Sequence, residues 1–255
     1  MSYQDGSRYS GGWHQGKPSG QGEFLFADGG QHKGEYQDGK AHGFGIYRYT
    51  EGDRYEGMWR RGLRHGYGTL HMANGSRYEG PWRKGERQGE GTVYFNDGDR
   101  HVGAYENGER NGVGTYYFAN GDRYIGQYQD QRKHGTGTYY YVDGERYEGQ
   151  YHHGVKTGEG TYYFIDGSRY AGTWSDNAAN GYGVAYYGDN SCYEGLWQAG
   201  KKHGSGTHRT PGGAQEGLWE QDGFVKSQSI PADPPRINTC QTMGFSQGNV
   251  PAASH

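Results

Sequence analysis

The stretch Asn74-Gly75-Ser76-Arg77-Tyr78-Glu79-Gly80-Pro81-Trp82 contains the pattern that decides the fold, because it returns along the chain every 23 residues. Numbering the ring-bearing residue after the arginine as position 1 gives nine copies in register, with glycine at position 3 and a second aromatic residue at position 5. Such a fixed period indicates a repeat architecture. Position 1 is occupied by Tyr9, His32, Tyr55, Tyr78, His101, Tyr124, Tyr147, Tyr170 and Tyr193.

The composition separates this chain from compact globular proteins and from disordered ones. Only 31% of its 255 residues are hydrophobic, 51 are glycine, and the mean hydropathy is −1.17. Yet 16% are aromatic, including 26 tyrosines, whereas disordered segments are usually poor in rings. The apolar surface of this chain is therefore concentrated in aromatic side chains.

The formal net charge of −3 gives no reason to expect wholesale binding to nucleic acid or to an anionic membrane. The N-terminal residues do not resemble a targeting signal, and no apolar run is long enough to span a bilayer. We therefore expect a soluble, intracellular protein. Cys192 and Cys240 lack metal-ligand spacing and are expected to be reduced thiols.

Each copy contains two segments of period-two alternation, which predict a β-hairpin. In the fifth copy we expect a loop at residues 107–111 and a turn at Asn120-Gly121. The position-5 aromatic would then face the position-14 glycine, and the position-3 glycine would face the position-16 aromatic. Rings would thereby cover bare glycine backbone on neighbouring strands. The expected structural glycines include Gly57, Gly68, Gly80, Gly91, Gly103 and Gly114.

The predicted fold class is all-β: an elongated, single-layer antiparallel sheet of tandem 23-residue β-hairpins, twisted and curved. About 18 strands spaced by about 4.8 Å would extend over roughly 85 Å. The predicted domains are a partial cap at 1–8, nine repeats at 9–31, 32–54, 55–77, 78–100, 101–123, 124–146, 147–169, 170–192 and 193–215, a partial tenth repeat at 216–223, and an extended or disordered tail at 224–255.

The motif Asp-Gly-x-Arg-Tyr-x-Gly-x-Trp, seen with one substitution at residues 74–82 and followed by Gly85, Gly89 and Gly91, closely resembles the MORN (membrane occupation and recognition nexus) repeat. The resemblance covers residues 5 to about 220. It implies an elongated array of hairpins and a scaffolding role at membranes, the cytoskeleton or ciliary axonemes. A chain that is almost all repeats plus a short tail is most similar to stand-alone architectural members, including radial-spoke head subunits and cytoskeletal linkers.

Catalysis needs unusual groups that converge in a pocket, whereas a regular sheet repeats the same columns of residues. We therefore expect no enzyme and no cofactor. One loop column suggests a metal hypothesis, but its members lie two strands apart, roughly 9 to 10 Å, which is too far for shared coordination. These residues are His42, His65, His134 and His203.

Two surfaces are candidate binding sites. A basic loop edge in copies three and four could dock an acidic protein segment or an anionic lipid head group. Its residues are Arg60, Arg61, Arg64, His65, Arg83, Lys84 and Arg87. A ring-lined groove could receive an amphipathic partner helix, although the same rings must also cover the glycines. Its residues are Trp59, Trp82, Tyr105, Tyr116, Phe118, Tyr128, Tyr139 and Tyr151.

The leading hypothesis is a non-catalytic scaffold that binds other proteins in a cytoskeletal or ciliary assembly, with self-association through the terminal repeats as a further expectation. Such a protein would be cytoplasmic and cytoskeleton-associated, in a radial-spoke-like setting in the axoneme. The alternative is a peripheral membrane adaptor that binds anionic phospholipid or phosphoinositide through the basic edge in a salt-sensitive way. Nucleic acid is not an expected partner.

Overall fold

The computed structural model describes residues 1–230 and Cys240, and the chain divides into two compact units, Met1–Val142 and Asp143–His255. Within the described residues the regular secondary structure consists of strands. No helix in that part of the chain is long and apolar enough to cross a membrane. Successive strands pair antiparallel within each unit, so the predicted all-β, single-layer array of hairpins is confirmed.

The strands are short and regular. The first unit contains β1 (Arg8–His14), β2 (Lys17–Leu25), β3 (Gln31–Gln37), β4 (Lys40–Arg48), β5 (Arg54–Arg60), β6 (Leu63–His71), β7 (Arg77–Arg83), β8 (Glu86–Arg87), β9 (Gly89–Tyr94), β10 (Arg100–Glu106), β11 (Glu109–Tyr117), β12 (Arg123–Gln129) and β13 (Arg132–Tyr140). The second contains β14 (Arg146–His152), β15 (Val155–Tyr163), β16 (Arg169–Ser175), β17 (Ala178–Tyr186), β18 (Cys192–Gln198), β19 (Lys201–Thr210), β20 (Gly213–Glu220) and β21 (Gly223–Ser227).

The turn within the fifth hairpin is two residues long, not the five predicted at 107–111. Asn107 and Gly108 have φ angles of 50° and 84°, and Glu106 pairs with Glu109 across them. Positive φ at both central residues is typical of a type I′ turn, whose twist matches that of the flanking strands. A bulge beside Gly103 absorbs the remaining residues of the predicted loop.

This turn and its bulge set the pairing across the hairpin. Gly103 faces Gly114, and His101 faces Tyr116, so the predicted pairing of position 5 with 14 and of position 3 with 16 is wrong. The next strand continues the new register, because Gly114 also faces Gly126. Positions 3 and 14 therefore form a glycine row that crosses the strands of each unit. The row includes the six expected glycines Gly57, Gly68, Gly80, Gly91, Gly103 and Gly114.

The glycine row is necessary because the position-1 rings lie directly over it. A Cβ atom built on Gly126 or Gly137 would lie 2.3 or 2.4 Å from the Tyr124 hydroxyl oxygen. Tyr124 is completely buried, and its hydroxyl donates to the Gln127 carbonyl at 3.1 Å. Rings thus shield glycine backbone, as the composition suggests, but position 1 supplies the shielding ring.

The position-5 rings pack edge-on against the position-1 rings. Trp82 lies 5.2 Å from Tyr78 of its own strand and 5.4 Å from Tyr55 of the preceding copy, both in T-shaped geometry. The Trp82 indole N–H donates to the Gly68 carbonyl at 3.1 Å. These contacts make a core of rings in which each copy depends on its neighbours.

The C-terminal end is more ordered than predicted. Strand β21 pairs with β20, and Phe224 packs against Trp219 at 5.2 Å, so residues 224–227 belong to the sheet rather than to the tail. Most of the remaining predicted tail lies outside the described residues. Cys240 is disulfide-bonded to Cys192, and their Cα atoms are 6.2 Å apart. The expectation of two reduced thiols was wrong because a separation of 48 residues hides this proximity in the sequence.

Candidate functional site

In each unit, the ring face is the face of the sheet that carries positions 1, 5, 10, 16 and 18, and the outer face is the opposite one. A row of cations at position 10 lies on the ring face. The guanidinium carbon of Arg87 lies 5.5 and 5.1 Å from the ring centroids of Tyr78 and Tyr105, and Arg87 donates to the Gly108 carbonyl. The row comprises Arg64, Arg87, Arg110 and Lys133 in the first unit and Lys156 and Lys202 in the second.

Sequence reasoning missed this row, although its signal was present. Position 10 is Arg or Lys in six of the nine copies. The predicted five-residue loop hid the pattern, because it placed position 10 within a surface loop. The short turn instead pairs Tyr105 with Arg110, which brings positions 5 and 10 to the same face.

The row also corrects the predicted basic edge. Arg64 and Arg87 do not lie on that edge, because Arg64 stacks 4.1 Å above the Trp82 ring and donates to the Gly85 carbonyl at 2.8 Å. Four of the other predicted cations are exposed, and His65 is half-buried. The exposed edge therefore consists of Arg60, Arg61, Arg83 and Lys84.

The predicted groove separates into two layers. Five of its eight rings are buried between position-1 rings and cannot contact a partner: Trp59, Trp82, Tyr105, Tyr128 and Tyr151. The three residues from positions 16 and 18, namely Tyr116, Phe118 and Tyr139, are half-buried. Sequence reasoning could not separate the layers, because the predicted register placed the rings of positions 5 and 16 over the glycines. In the structure the position-1 rings cover the glycines.

The half-buried rings form a continuous ladder on the ring face of the first unit. Centroid distances are 5.7 Å from Phe95 to Tyr116, 4.5 Å from Tyr116 to Phe118, and 5.5 Å from Phe118 to Tyr139. Tyr141 extends the series at 4.5 Å from Tyr139. We call these five residues the ring ladder.

Carboxylates border the ring ladder on the side away from the cations. The Tyr116 hydroxyl donates to Asp99 at 2.6 Å, and the Tyr139 hydroxyl donates to Asp122 at 2.8 Å. Burial, and then the neighbouring Asp99, raises the pKa of Tyr116, so this hydroxyl remains a donor. The ladder thus runs between a row of cations and a row of carboxylates.

Two copies have histidine at position 1. His101 Nδ1 lies 2.9 Å from the Tyr105 hydroxyl oxygen, whereas its Nε2 is buried without a hydrogen-bond partner. Burial, and then the charges of Arg110 and Arg87, lowers the pKa of His101 to about 3. The ring is therefore neutral near pH 7 and serves as part of the packed core.

Among residues 1–230 and Cys240, no group of three or more His, Cys, Asp or Glu side chains is arranged to hold a metal ion. The titratable groups that face one another on the ring face are instead a tyrosine and a carboxylate, repeated from copy to copy. This arrangement offers hydrogen bonds and charge along a surface.

The fold is similar to that of several solved structures at low identity. The zebrafish (Danio rerio) CPAP TCP10 domain in complex with a STIL peptide is 13% identical, with 85% of this chain and 90% of that chain covered and a TM-score of 0.44. The Drosophila melanogaster SAS-4 TCP domain, in complex with a proline-rich motif of Ana2, is 15% identical, with coverages of 60% and 83% and a TM-score of 0.39. No curated protein matches the chain.

The chain also matches a family model. The model of the MORN repeat matches nine times in succession, at residues 9–31, 32–54, 55–77, 78–100, 101–123, 124–146, 147–169, 170–192 and 193–215. Proteins built from this repeat are generally non-catalytic scaffolds. The chain belongs to the MORN repeat family.

Proposed function

We propose that this protein is a non-catalytic scaffold that holds a segment of a partner protein on the ring face of its first unit. The observation that carries the proposal is the ring ladder. The buried rings at positions 1 and 5 already cover the glycine row, whereas the ladder keeps part of its apolar surface accessible. Exposed aromatic surface next to polar groups is typical of protein-binding sites.

The rows beside the ladder define the chemistry of the partner. Neither Arg87 nor Arg110 forms an ion pair with a carboxylate among the described residues. A partner carboxylate above the cation row would supply the negative charge that these arginines lack. A basic or amide group of the partner would suit the row that contains Asp99 and Asp122. The best fit is an amphipathic segment with apolar residues in the centre, acidic residues on one flank and basic residues on the other.

A photocrosslinking amino acid in place of Phe118 tests the proposal in the native cell. The matched control carries the same group in place of Tyr117, the next residue of β11, which lies on the outer face beneath Arg100. We expect a protein adduct from position 118 that is absent from position 117, and its loss when Tyr139→Ser is added. Equal adducts from both faces would contradict ring-face binding.

The cytoskeletal or ciliary setting is part of the same proposal and is supported by the resemblance to stand-alone architectural members of the family. Proximity labelling with the full chain in its native cell tests this setting. Labelled axonemal or cytoskeletal proteins are the expected result. A set of membrane proteins alone would contradict it and would favour the lipid-binding alternative.

A further inference from the structure

The outer face of copies two to four carries an exposed apolar patch that the ring-face function does not use. Phe44, Met58 and Tyr67 are 47%, 42% and 63% exposed. Phe44 pairs with Met58 across β4 and β5, and Tyr67 pairs with Pro81 across β6 and β7. We call these four residues the outer patch. It crosses four strands, which corresponds to roughly 14 Å.

The fold does not require apolar residues at these positions. They are positions 4 and 13 of the repeat, and the equivalent pair Glu159 and Thr173 in the second unit is polar in the same register. Gln127 and Thr136 occupy the two positions in the sixth copy. Because those copies form equivalent strands, the fold does not require the apolar side chains of the outer patch. The pair Tyr182 and Leu196 in the second unit is also apolar, but position 6 of those two copies is Ser175 and Gln198 rather than arginine.

The charges beside the patch are specific to the same copies. Arg60 lies two residues beyond Met58 on the same face, and Arg83 stands in the same relation to Pro81. Position 6 is arginine only in these two copies. In the other seven it is His14, Gln37, Glu106, Gln129, His152, Ser175 and Gln198. Arg61 and Lys84, at the adjoining turns, are also exposed. The outer patch therefore has a cationic border along the loop edge.

The opposite border carries ion pairs. Glu56 and Glu79 occupy position 2, and each forms a salt bridge with an arginine, Arg54 or Arg77. Glu35 and Glu90 lie on the outer face at the two ends of the outer patch, beyond Phe44 and Pro81. A flat anionic membrane over this face would also cover these carboxylates, whereas a helix about 10 Å wide would lie between them.

We infer that the outer patch docks an acidic amphipathic helix of a partner protein. About three helical turns, or ~16 Å, match the length of the patch. Apolar residues at i, i+4 and i+7 would cover Phe44, Met58 and Tyr67, and Asp or Glu on one flank would meet Arg60 and Arg83. This site is on the face opposite the ring ladder, so its existence does not depend on ring-face binding.

The first test is site-specific photocrosslinking with the full chain in its native cell, with the crosslinker in place of Tyr67. The matched control has the crosslinker in place of Val113, which is also position 13 and is 61% exposed but lies outside the patch. We expect an adduct from position 67 only, joined to a segment whose sequence has acidic and apolar residues at helical spacing. A lipid adduct, a basic segment, or equal adducts at both positions would overturn the inference.

The second test titrates that segment, made as a synthetic peptide, against the full chain. The variant Met58→Gln with Tyr67→Thr removes the apolar side chains, and Arg60→Gln with Arg83→Gln removes the charges. All four substitutions introduce residues that the chain itself carries at the same repeat positions of other copies, so thermal stability should be unchanged. We expect each variant to weaken binding about tenfold or more, the charge variant mainly at low salt.

Two outcomes separate this site from the ring face and from a membrane. Phe118→Ser should leave the affinity for the peptide unchanged, because Phe118 lies on the opposite face; a comparable loss would mean that the peptide binds there. Phosphatidylserine vesicles should not bind the chain through the patch. If Met58→Gln with Tyr67→Thr abolished vesicle binding instead of peptide binding, a membrane would be the occupant and the inference would be wrong.

Discussion

The glycine row makes a sharp prediction at Gly160, where a single added methyl group should disrupt the core. A Cβ atom at this residue would lie 2.4 Å from the Tyr147 hydroxyl oxygen and 2.7 Å from two of its ring carbons. Tyr147 is completely buried, with Tyr151 at 5.4 Å and Trp174 at 5.0 Å between ring centroids. Since carbon atoms pack at about 3.5–4.0 Å, the ring must move by roughly 1 Å against these neighbours.

The expected cost of Gly160→Ala has two parts. Overpacking of a well-filled core costs about 1–3 kcal/mol. Displacement of Tyr147 also stretches the hydrogen bond from its hydroxyl to the Gln150 carbonyl, now 3.2 Å, which contributes about 1 kcal/mol. The variant should therefore be less stable by about 2–4 kcal/mol, as measured by urea denaturation of the full chain followed by fluorescence.

Gly188→Ala is the matched control in the same unit. The nearest atom to a Cβ at Gly188 is the Asp166 carbonyl oxygen at 3.4 Å, and this glycine does not have a left-handed φ angle. The control should be neutral or up to about 1 kcal/mol more stable, because alanine restricts the unfolded chain. The reasoning would be refuted if both variants unfolded within about 0.5 kcal/mol of the original protein.

Two further substitutions test other parts of the core by the same denaturation assay. His101→Tyr should remove a pH dependence: the unfolded histidine protonates below about pH 6.5, whereas His101, with its pKa lowered to about 3, stays neutral in the fold. The original protein should therefore lose about 2 kcal/mol more than the variant between pH 8 and pH 5, and equal losses would contradict this. Trp82→Phe should cost about 1–2 kcal/mol, because the Gly68 carbonyl loses its buried donor, and an unchanged midpoint would argue against that bond.

The sequence predicts the repeat and the sheet because both depend on local signals. The period of 23, the alternation and the turn dipeptides all act within one copy. The cross-strand register depends instead on turn length, and Asn107-Gly108 could begin either a two-residue turn or a longer loop. Because of that one ambiguity, the sequence predicts that Gly103 faces Tyr116, whereas it faces Gly114. The wrong register concealed both the buried position-5 rings and the cation row. The bond between Cys192 and Cys240 is a tertiary contact with no local signal.

Comparison among the copies separates residues that the fold needs from residues that it merely tolerates. Position 3 is glycine in every copy, because the ring at position 1 leaves no room for a Cβ atom. Positions 4, 6 and 13 face solvent on the outer face and vary from charged to aromatic without altering the register. A cluster of unusual residues at such positions cannot be attributed to the folding of its own copy. Met58, Arg60 and Tyr67 form such a cluster, which is why the outer patch, rather than the more conspicuous glycine row, is the better candidate for a binding surface.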